Sequence, residues 1–318
     1  MARLGITVPI NSAGLAAQRG VISRLREGGY QDVWSAEVSQ YDAFTPLVLA
    51  NEWEPAMNLG TAIVPAFTRG PATLAVSAAA LAELAPGRFT LGVGSSSDVI
   101  VSKWNSTAFE RPYYRTRDMV RFLRLALAGE KVDRDFDTFS VSGFRLASPP
   151  RTPPRILVAA LREQMLKMAG READGAIVNW LSPEDVSRVA PLVGEGKEIV
   201  ARVFVAPGAD REVFLAGARR AIAAYLNVGV YAEFHRWLGR GPKLEQMWDL
   251  WAKGNRGEAV AAIPEEVVDE LVVGGTPAEC RARIQEYFDN GVDVAALAVM
   301  PFGIDPVVAA VSLSPLAP

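Results

Sequence analysis

Short apolar runs recur along the chain, and amphipathic stretches separate them. Each run is four to seven residues long, too short for a buried helix, and most are rich in Val, Ile or Leu. Pro, Gly or polar residues bound the runs, as is typical of buried strands. The pattern therefore predicts eight strands, at residues 4–8, 32–36, 59–64, 89–93, 155–159, 175–178, 199–205 and 294–300.

Helical periodicity follows every predicted strand except the last. Residues 71–84 are the clearest case, because Leu and Ala recur there at helical spacing behind an initial proline. Residues 276–279, Thr-Pro-Ala-Glu, have the spacing of a capping box and predict the start of a later helix. Residues 136–146 are predicted to form a small hairpin that turns at Ser142 and Gly143.

Two segments interrupt this alternation and are interpreted as insertions, at about residues 95–116 and about 227–264. The remainder predicts an α/β protein with a (β/α)₈ TIM barrel in a single domain, residues 1–318, because such barrels need about 250 residues plus insertions. The alternative is a doubly wound sheet, which rarely uses eight βα units in one chain.

Composition narrows the function classes. The chain carries 33 basic and 36 acidic residues, for a formal charge of −3, with no basic stripe for nucleic acid or anionic lipid. One cysteine excludes an internal disulfide framework, and one histidine excludes a His-rich metal site. The first residues run into a strand and no apolar run reaches the roughly 18 residues of a membrane span, so we expect a cytoplasmic protein.

In a TIM barrel, the residues that follow the strands form the site. They include one carboxylate, one arginine and several hydroxyls, but no catalytic triad, carboxylate pair or metal cluster. Such a rim suits an enzyme whose cofactor carries the chemistry. The positions that we single out on it are Glu37, Ser95, Ser96, Ala160, Leu161, Arg162, Asn179 and Trp180.

Several short sequence motifs are more specific to a protein family than the residue types alone. They are DAFTPL at residues 42–47, LGTAIVP at 59–65, ELAPGRF at 83–89, paired motifs within 165–181, and GTPAEC at 275–280. In this order the strings resemble the bacterial-luciferase-like superfamily, and in particular its deazaflavin-dependent oxidoreductases. The resemblance covers nearly the whole chain and implies a (β/α)₈ barrel that binds coenzyme F420, or FMN in other branches, at the carboxyl ends of its strands.

The resemblance also implies where the cofactor lies. A bulge after the third strand, which often contains a non-proline cis peptide in relatives, falls at Ala62–Ile63 and, with Val64, would back the deazaflavin ring. An arginine at a helix start is electrostatically unfavourable unless an anion lies nearby, which agrees with a phosphate beside Arg162. The residues assigned to the cofactor are Thr7, Ala62, Ile63, Val64, Ser95, Ser96, Ala160, Leu161, Arg162 and Gln164.

Glu37 occupies the position where relatives keep acidic or histidine residues near the reacting ring carbon, and it is the candidate catalytic residue. Val38 follows it where many relatives have histidine, which weakens the case for an acid–base relay. Trp104, Asn179 and Trp180 are the candidate substrate contacts. His235 lies among aromatic residues and is interpreted as a packed side chain.

The leading hypothesis is an F420-dependent oxidoreductase that transfers a hydride between the deazaflavin and a small organic substrate. The alternatives are a reduced-FMN monooxygenase of the same fold and a barrel that binds a cofactor without catalysis. Neither nucleic acid nor a membrane is an expected partner, and a homodimer is one option for the assembly.

Overall fold

The computed structural model describes residues 2–11 and 13–315, which contain twelve strands, thirteen helices and one π-helical segment, Val99–Trp104. The strands are β1 (Arg3–Thr7), β2 (Asp32–Ser35), β3 (Asn58–Thr61), β4 (Val64–Pro65), β5 (Phe89–Gly94), β6 (Val132–Asp135), β7 (Ser140–Phe144), β8 (Arg155–Ala159), β9 (Gly175–Asn179), β10 (Glu198–Pro207), β11 (Val273–Gly275) and β12 (Val294–Val299). The helices are α1 (Gln18–Glu27), α2 (Thr45–Trp53), α3 (Pro71–Leu84), α4 (Pro112–Leu127), α5 (Glu163–Glu172), α6 (Pro183–Val193), α7 (Arg211–Leu226), α8 (Gly229–Trp237), α9 (Gly241–Ala252), α10 (Arg256–Ala261), α11 (Glu265–Leu271), α12 (Pro277–Asp289) and α13 (Pro306–Ser312).

Eight strands close into a parallel barrel in the order β1, β2, β3, β5, β8, β9, β10 and β12, and β12 pairs with β1 again. Each predicted strand overlaps one of these eight. The (β/α)₈ barrel is therefore confirmed, and the doubly wound alternative is wrong because the sheet closes. That the whole chain forms one domain stays a prediction.

Ion pairs join the amino ends of the barrel strands. Arg3 Nε lies 3.1 Å from Asp32 Oδ2, and Arg3 Nη2 lies 2.7 Å from Glu198 Oε1. Glu198 also lies 2.8 Å from Arg155 Nη1. Four strands, β1, β2, β8 and β10, are linked in this way at the end opposite the candidate site.

Trp34 fills the middle of the barrel. It is buried in a cluster whose other members come from four further strands, and Ala62 and Ile63 pack against that cluster. The ring fits because Gly5 and Gly60 face it from the neighbouring strands. A Cβ at Gly60 would lie 2.2 Å from the Trp34 ring, and one at Gly5 would lie 2.9 Å from it.

Local details differ from the predictions at two places. The hairpin turn lies at residues 136–139, not at Ser142 and Gly143, because Phe136 and Phe139 pack against each other, with ring centroids 4.9 Å apart. The Phe136 N–H also donates to the Phe139 carbonyl. In addition, the last barrel strand is followed by a helix, α13, which the sequence pattern did not predict.

The two interpreted insertions adopt different structures. The first was predicted to reach about residue 116 but ends earlier, because α4 begins at Pro112; residues 95–111 connect β5 to α4 and contain the π-helical segment Val99–Trp104. Residues 227–264 fold largely into the helices α8, α9 and α10. Among the described residues no single helix is long and apolar enough to cross a bilayer; α7 and α8 pass that test only as a pair, bent by 103°.

The fit between Gly60 and Trp34 can be tested by adding one carbon. We expect Gly60→Ala to lower the free energy of unfolding by about 1–3 kcal/mol, because the new Cβ would overlap the buried Trp34 ring. Urea denaturation followed by circular dichroism measures the change.

Gly20→Ala is the matched control, since Gly20 lies exposed in α1 with open space around its Cβ direction. Alanine there should leave the protein unchanged or about 0.5–1 kcal/mol more stable. A Gly60→Ala protein as stable as the wild type would contradict the described packing.

Candidate functional site

A bulge between β3 and β4 forms an apolar surface at the carboxyl end of the barrel. The peptide bond between Ala62 and Ile63 is cis, at the position that the resemblance implied. The Ala62 N–H donates to the Ser35 carbonyl at 2.6 Å, and the Ile63 carbonyl accepts from the Glu37 N–H at 3.1 Å. Both bulge residues are partly exposed, whereas Val64 is fully buried and belongs to the main hydrophobic core, not to the Trp34 cluster.

Glu37 lies after β2 and is held by Arg69. Arg69 donates from Nη2 at 2.7 Å and from Nε at 2.9 Å to the same carboxylate oxygen, Oε2. The bond to Glu37 raises the pKa of the Arg69 guanidinium, which also lies over the Phe44 ring at 5.0 Å. The catalytic role of Glu37 stays a prediction, and this pairing favours orientation of the loop over proton transfer.

The turn after β5 carries the predicted phosphate contacts Ser95 and Ser96. Both are partly exposed, and Ser96 has a φ of 62°, in the left-handed region that few residues other than glycine adopt. The neighbouring strand β8 is in register with β5 through Val93 and Val158, so its carboxyl end lies beside this turn. The two segments that the sequence assigned to the phosphate side are therefore adjacent.

Helix α5 begins at this point without a side-chain cap. Arg162 at the N-cap position makes no capping hydrogen bond, so the first N–H groups of the helix have no acceptor of that kind. The Ala160 N–H, in contrast, is already bonded to the Ile177 carbonyl at 3.0 Å. The backbone donors that remain for an anion belong to the residues after Ala160, beginning with Leu161.

The two long polar side chains at the start of α5 are solvent-exposed. Gln164 points away from the buried core, and the Arg162 side chain is 48% exposed. Arg162 Nη1 lies 3.8 Å from Glu233 in α8, which brings the second insertion next to the start of α5. The cofactor contacts assigned to Arg162 and Gln164 stay predictions.

Three inward-facing polar groups at the barrel mouth are buried without partners among the described residues. They are Thr7 Oγ1, Asn179 Oδ1 and Arg202 Nε. Asn179 and Arg202 are paired in register on β9 and β10, and Asn179 Nδ2 donates to the Tyr231 hydroxyl at 3.2 Å. Buried polar groups without partners are rare, so this cluster indicates a place that a ligand or water fills.

Arg202 and Tyr231 were not singled out from the sequence. Arg202 lies in the run 199–205, whose apolar residues predicted a buried strand, and a charged residue inside such a run was the available signal. Nothing in the sequence indicated that Tyr231, in α8, reaches Asn179 at the end of β9.

The two predicted tryptophan contacts lie in different environments. Trp104 is 55% exposed at the end of the π-helical segment. Trp180 is fully buried, with its ring stacked on Phe204 at 4.0 Å and near Tyr225 at 5.0 Å. The structure thus does not bring the two rings together, and their roles in substrate binding stay predictions.

His235 lies in α8 with its side chain packed in the protein interior, as the sequence indicated. It is fully buried, with its ring centroid 5.5 Å from that of Phe234. Burial, and then the nearby charge of Arg240, lower the pKa of His235 to about 3. The imidazole is therefore neutral at physiological pH. Among the described residues, no three His, Cys, Asp or Glu side chains are grouped so that they could hold a metal ion.

Comparison with known sequences places this geometry in context. A profile of the luciferase-like monooxygenase family matches residues 3–294. The 5,10-methylenetetrahydromethanopterin reductase of Methanolobus tindarius is 26% identical over 279 residues, 83% of this chain and 84% of its own. A protein of Mycobacterium tuberculosis with the provisional name coenzyme F420-dependent oxidoreductase is 25% identical over 303 residues, 86% of this chain and 87% of its own.

Among solved structures, the coenzyme F420-dependent tetrahydromethanopterin reductase from Methanopyrus kandleri has the same fold. It matches with a TM-score of 0.80 at 21% identity, covering 99% of this chain and 98% of its own.

The depressed pKa of His235 predicts acid sensitivity. Since the unfolded chain takes up a proton near the ordinary value of 6.5 and the folded protein does so only near 3, stability is full above pH 6.5 and falls as the pH drops below it. Relative to His235→Gln, we expect the wild type to lose about 2 kcal/mol more stability between pH 7.5 and pH 5.

Urea unfolding of both proteins at several pH values measures this difference. The two proteins differ only at residue 235, so the other titratable groups contribute equally to both curves. Since the chain has one histidine, no other imidazole titrates in this pH range. Parallel curves would show that His235 titrates in the folded protein as it does in the unfolded chain.

Proposed function

The chain belongs to the luciferase-like monooxygenase family, and on that premise we propose that it is an oxidoreductase that uses coenzyme F420. It would transfer a hydride between this cofactor and a small organic substrate. The observation that carries the proposal is the alignment of the partly exposed Ala62–Ile63 bulge with the serine turn and the uncapped start of α5 on successive barrel strands. The provisional name of the Mycobacterium tuberculosis relative supports the choice of cofactor.

The residues present fit such a cofactor. Ala62 and Ile63 offer an apolar surface of the kind that a flat ring needs, and they rest on the buried Trp34 cluster. Ser95, Ser96 and the first N–H groups of α5 offer hydrogen-bond donors for an anionic group, and the dipole of the helix favours negative charge there. Coenzyme F420 would supply the hydride carrier, carbon 5 of its deazaflavin ring.

The protein's own contribution would be orientation and exclusion of water. The Glu37–Arg69 pair fixes the loop after β2 next to the bulge, because the Glu37 N–H also donates to the Ile63 carbonyl. Exclusion of water from the surface of the bulge by a bound cofactor and substrate would strengthen the polar contacts that remain. A cytoplasmic location and a homodimer stay predictions.

Two alternatives remain within the fold. A reduced-FMN monooxygenase agrees with the name of the family. A barrel that binds its cofactor without catalysis agrees with Val38 in place of the expected histidine and with the pairing of Glu37 to Arg69.

Cofactor titration separates these possibilities. We expect the purified protein to bind F420 at least about tenfold more tightly than FMN, measured by quenching of its seven tryptophans. Tighter binding of FMN would overturn the proposal. F420 binding without hydride transfer to or from any member of a panel of alcohols, ketones and enones would support the non-catalytic alternative.

A charge placed in the serine turn tests the phosphate assignment. Ser95→Asp should weaken F420 binding by about tenfold or more, because the new carboxylate repels an anion at the start of α5. Ser187→Asp is the control, since Ser187 is exposed on α6 and lines a cleft near the amino ends of the strands. Equal F420 affinity in the two variants would show that the anionic group of F420 does not bind at this turn.

A further inference from the structure

Arg202 points into the barrel. On β10, Val200 belongs to the interior cluster around Trp34, and side chains on a strand alternate between its two faces. Arg202 therefore faces inward, one layer closer to the carboxyl end than Val200. Its Cα partners are Asn179 on β9 and Ala296 on β12.

Among the described residues, no carboxylate neutralises the charge of Arg202. In the part of the chain that the structure describes, no carboxylate oxygen lies within 4.0 Å of its guanidinium, and its buried Nε has no acceptor. By contrast, the buried Arg240 lies 2.8 Å from Asp185 and 2.6 Å from Glu270. A partly buried cation without a partner is unfavourable, so Arg202 is a residue with an unmet requirement for an anion.

The neighbours of Arg202 hold it in place and extend the binding surface. Its guanidinium lies over the Phe204 ring at 5.1 Å, and Phe204 stacks on the buried Trp180. Tyr231 accepts a hydrogen bond from Asn179 through its oxygen, which leaves its own proton to donate. Burial raises the pKa of Tyr231 to about 12, so the hydroxyl keeps that proton at neutral pH.

Arg202 lies across the barrel mouth from the proposed ring surface. In the barrel order, β3 and β10 are four strands apart in either direction, which is the largest separation possible among eight strands. The Ala62–Ile63 bulge ends β3, so Arg202 faces the open side of a ring resting on that bulge. The serine turn after β5 is three strands away from Arg202.

We propose that Arg202, with the Tyr231 hydroxyl oriented by Asn179, forms a subsite for a carboxylate group of the substrate. That the bound molecule is a substrate rests on the proposed function. A carboxylate matches the two-pronged donor geometry of a guanidinium, and it supplies the negative charge that the described residues do not provide at this position. The substrate class would be small carboxylic acids that carry the reacting carbon near the bulge.

Butanoate and its neutral isostere butanamide are the probes for this subsite. At constant ionic strength, we expect the wild type to bind butanoate at least about tenfold more tightly than butanamide, followed by tryptophan fluorescence. Arg202→Met, which keeps chain length and removes the charge, should abolish the preference. Arg124→Met is the control, because Arg124 lies on α4 and pairs with Asp174 at an exposed position, and it should retain the preference.

F420 titration of the same variants distinguishes an anion of the substrate from one of the cofactor. Arg202→Met should change F420 affinity by less than about twofold. A loss of F420 binding as large as the loss of butanoate binding would assign the anion to the cofactor and overturn the proposal. Equal binding of butanoate and butanamide by the wild type would overturn it as well.

The outcome remains interpretable if the proposed function fails or the variant does not fold. If the wild-type protein prefers butanoate but does not bind F420, the carboxylate subsite is supported and the cofactor assignment is refuted. If Arg202→Met unfolds, thermal stability of the wild type gives the second measurement. Butanoate should raise the melting temperature and butanamide should not, and an equal shift by both would overturn the subsite.

Discussion

The shape of the candidate site depends on how one large side chain fits inside the barrel. Trp34 occupies the volume that side chains at Gly5 and Gly60 would need, and the three positions lie on adjacent strands. The bulge at Ala62 and Ile63 packs against the same interior cluster. Because protein interiors are close-packed, a displaced ring would displace the bulge too. The packing of Trp34 against the two glycines therefore determines the position of the surface proposed for the cofactor, and this packing involves no ligand.

Much of the fold could be predicted because the necessary signals are local. Strand length, apolar content and turn residues can be read in windows of a few residues, and the capping box at Thr276 and Glu279 formed as its spacing indicated. The hairpin turn was misplaced because Gly143 gave a strong local signal, whereas the packing of Phe136 on Phe122 depends on α4. Turn residues alone do not report such tertiary contacts.

The site was predictable only as far as position along a strand determines it. Strand ends placed Glu37 and Asn179 at the barrel mouth, but their partners Arg69 and Tyr231 come from residues 32 and 52 positions away. Trp180 also follows a strand, yet its φ of 54° accompanies a ring buried among aromatic residues. The direction of a side chain at a strand end depends on contacts with distant segments, and the sequence alone does not show which segments meet.

Electrostatic balance distinguishes the two ends of the barrel. At the amino ends, Arg3 is paired with Asp32 and Glu198, and the cation is neutralised within the protein. At the carboxyl ends, the rim carboxylate Glu37 is already bound to Arg69, whereas among the described residues Arg202 has no carboxylate partner and the first turn of α5 has no side-chain cap. A chain with a net charge of −3 therefore has a mouth that favours anions. Since Arg202 lies on β10 and α5 follows β8, two separate anionic groups would satisfy this mouth better than one.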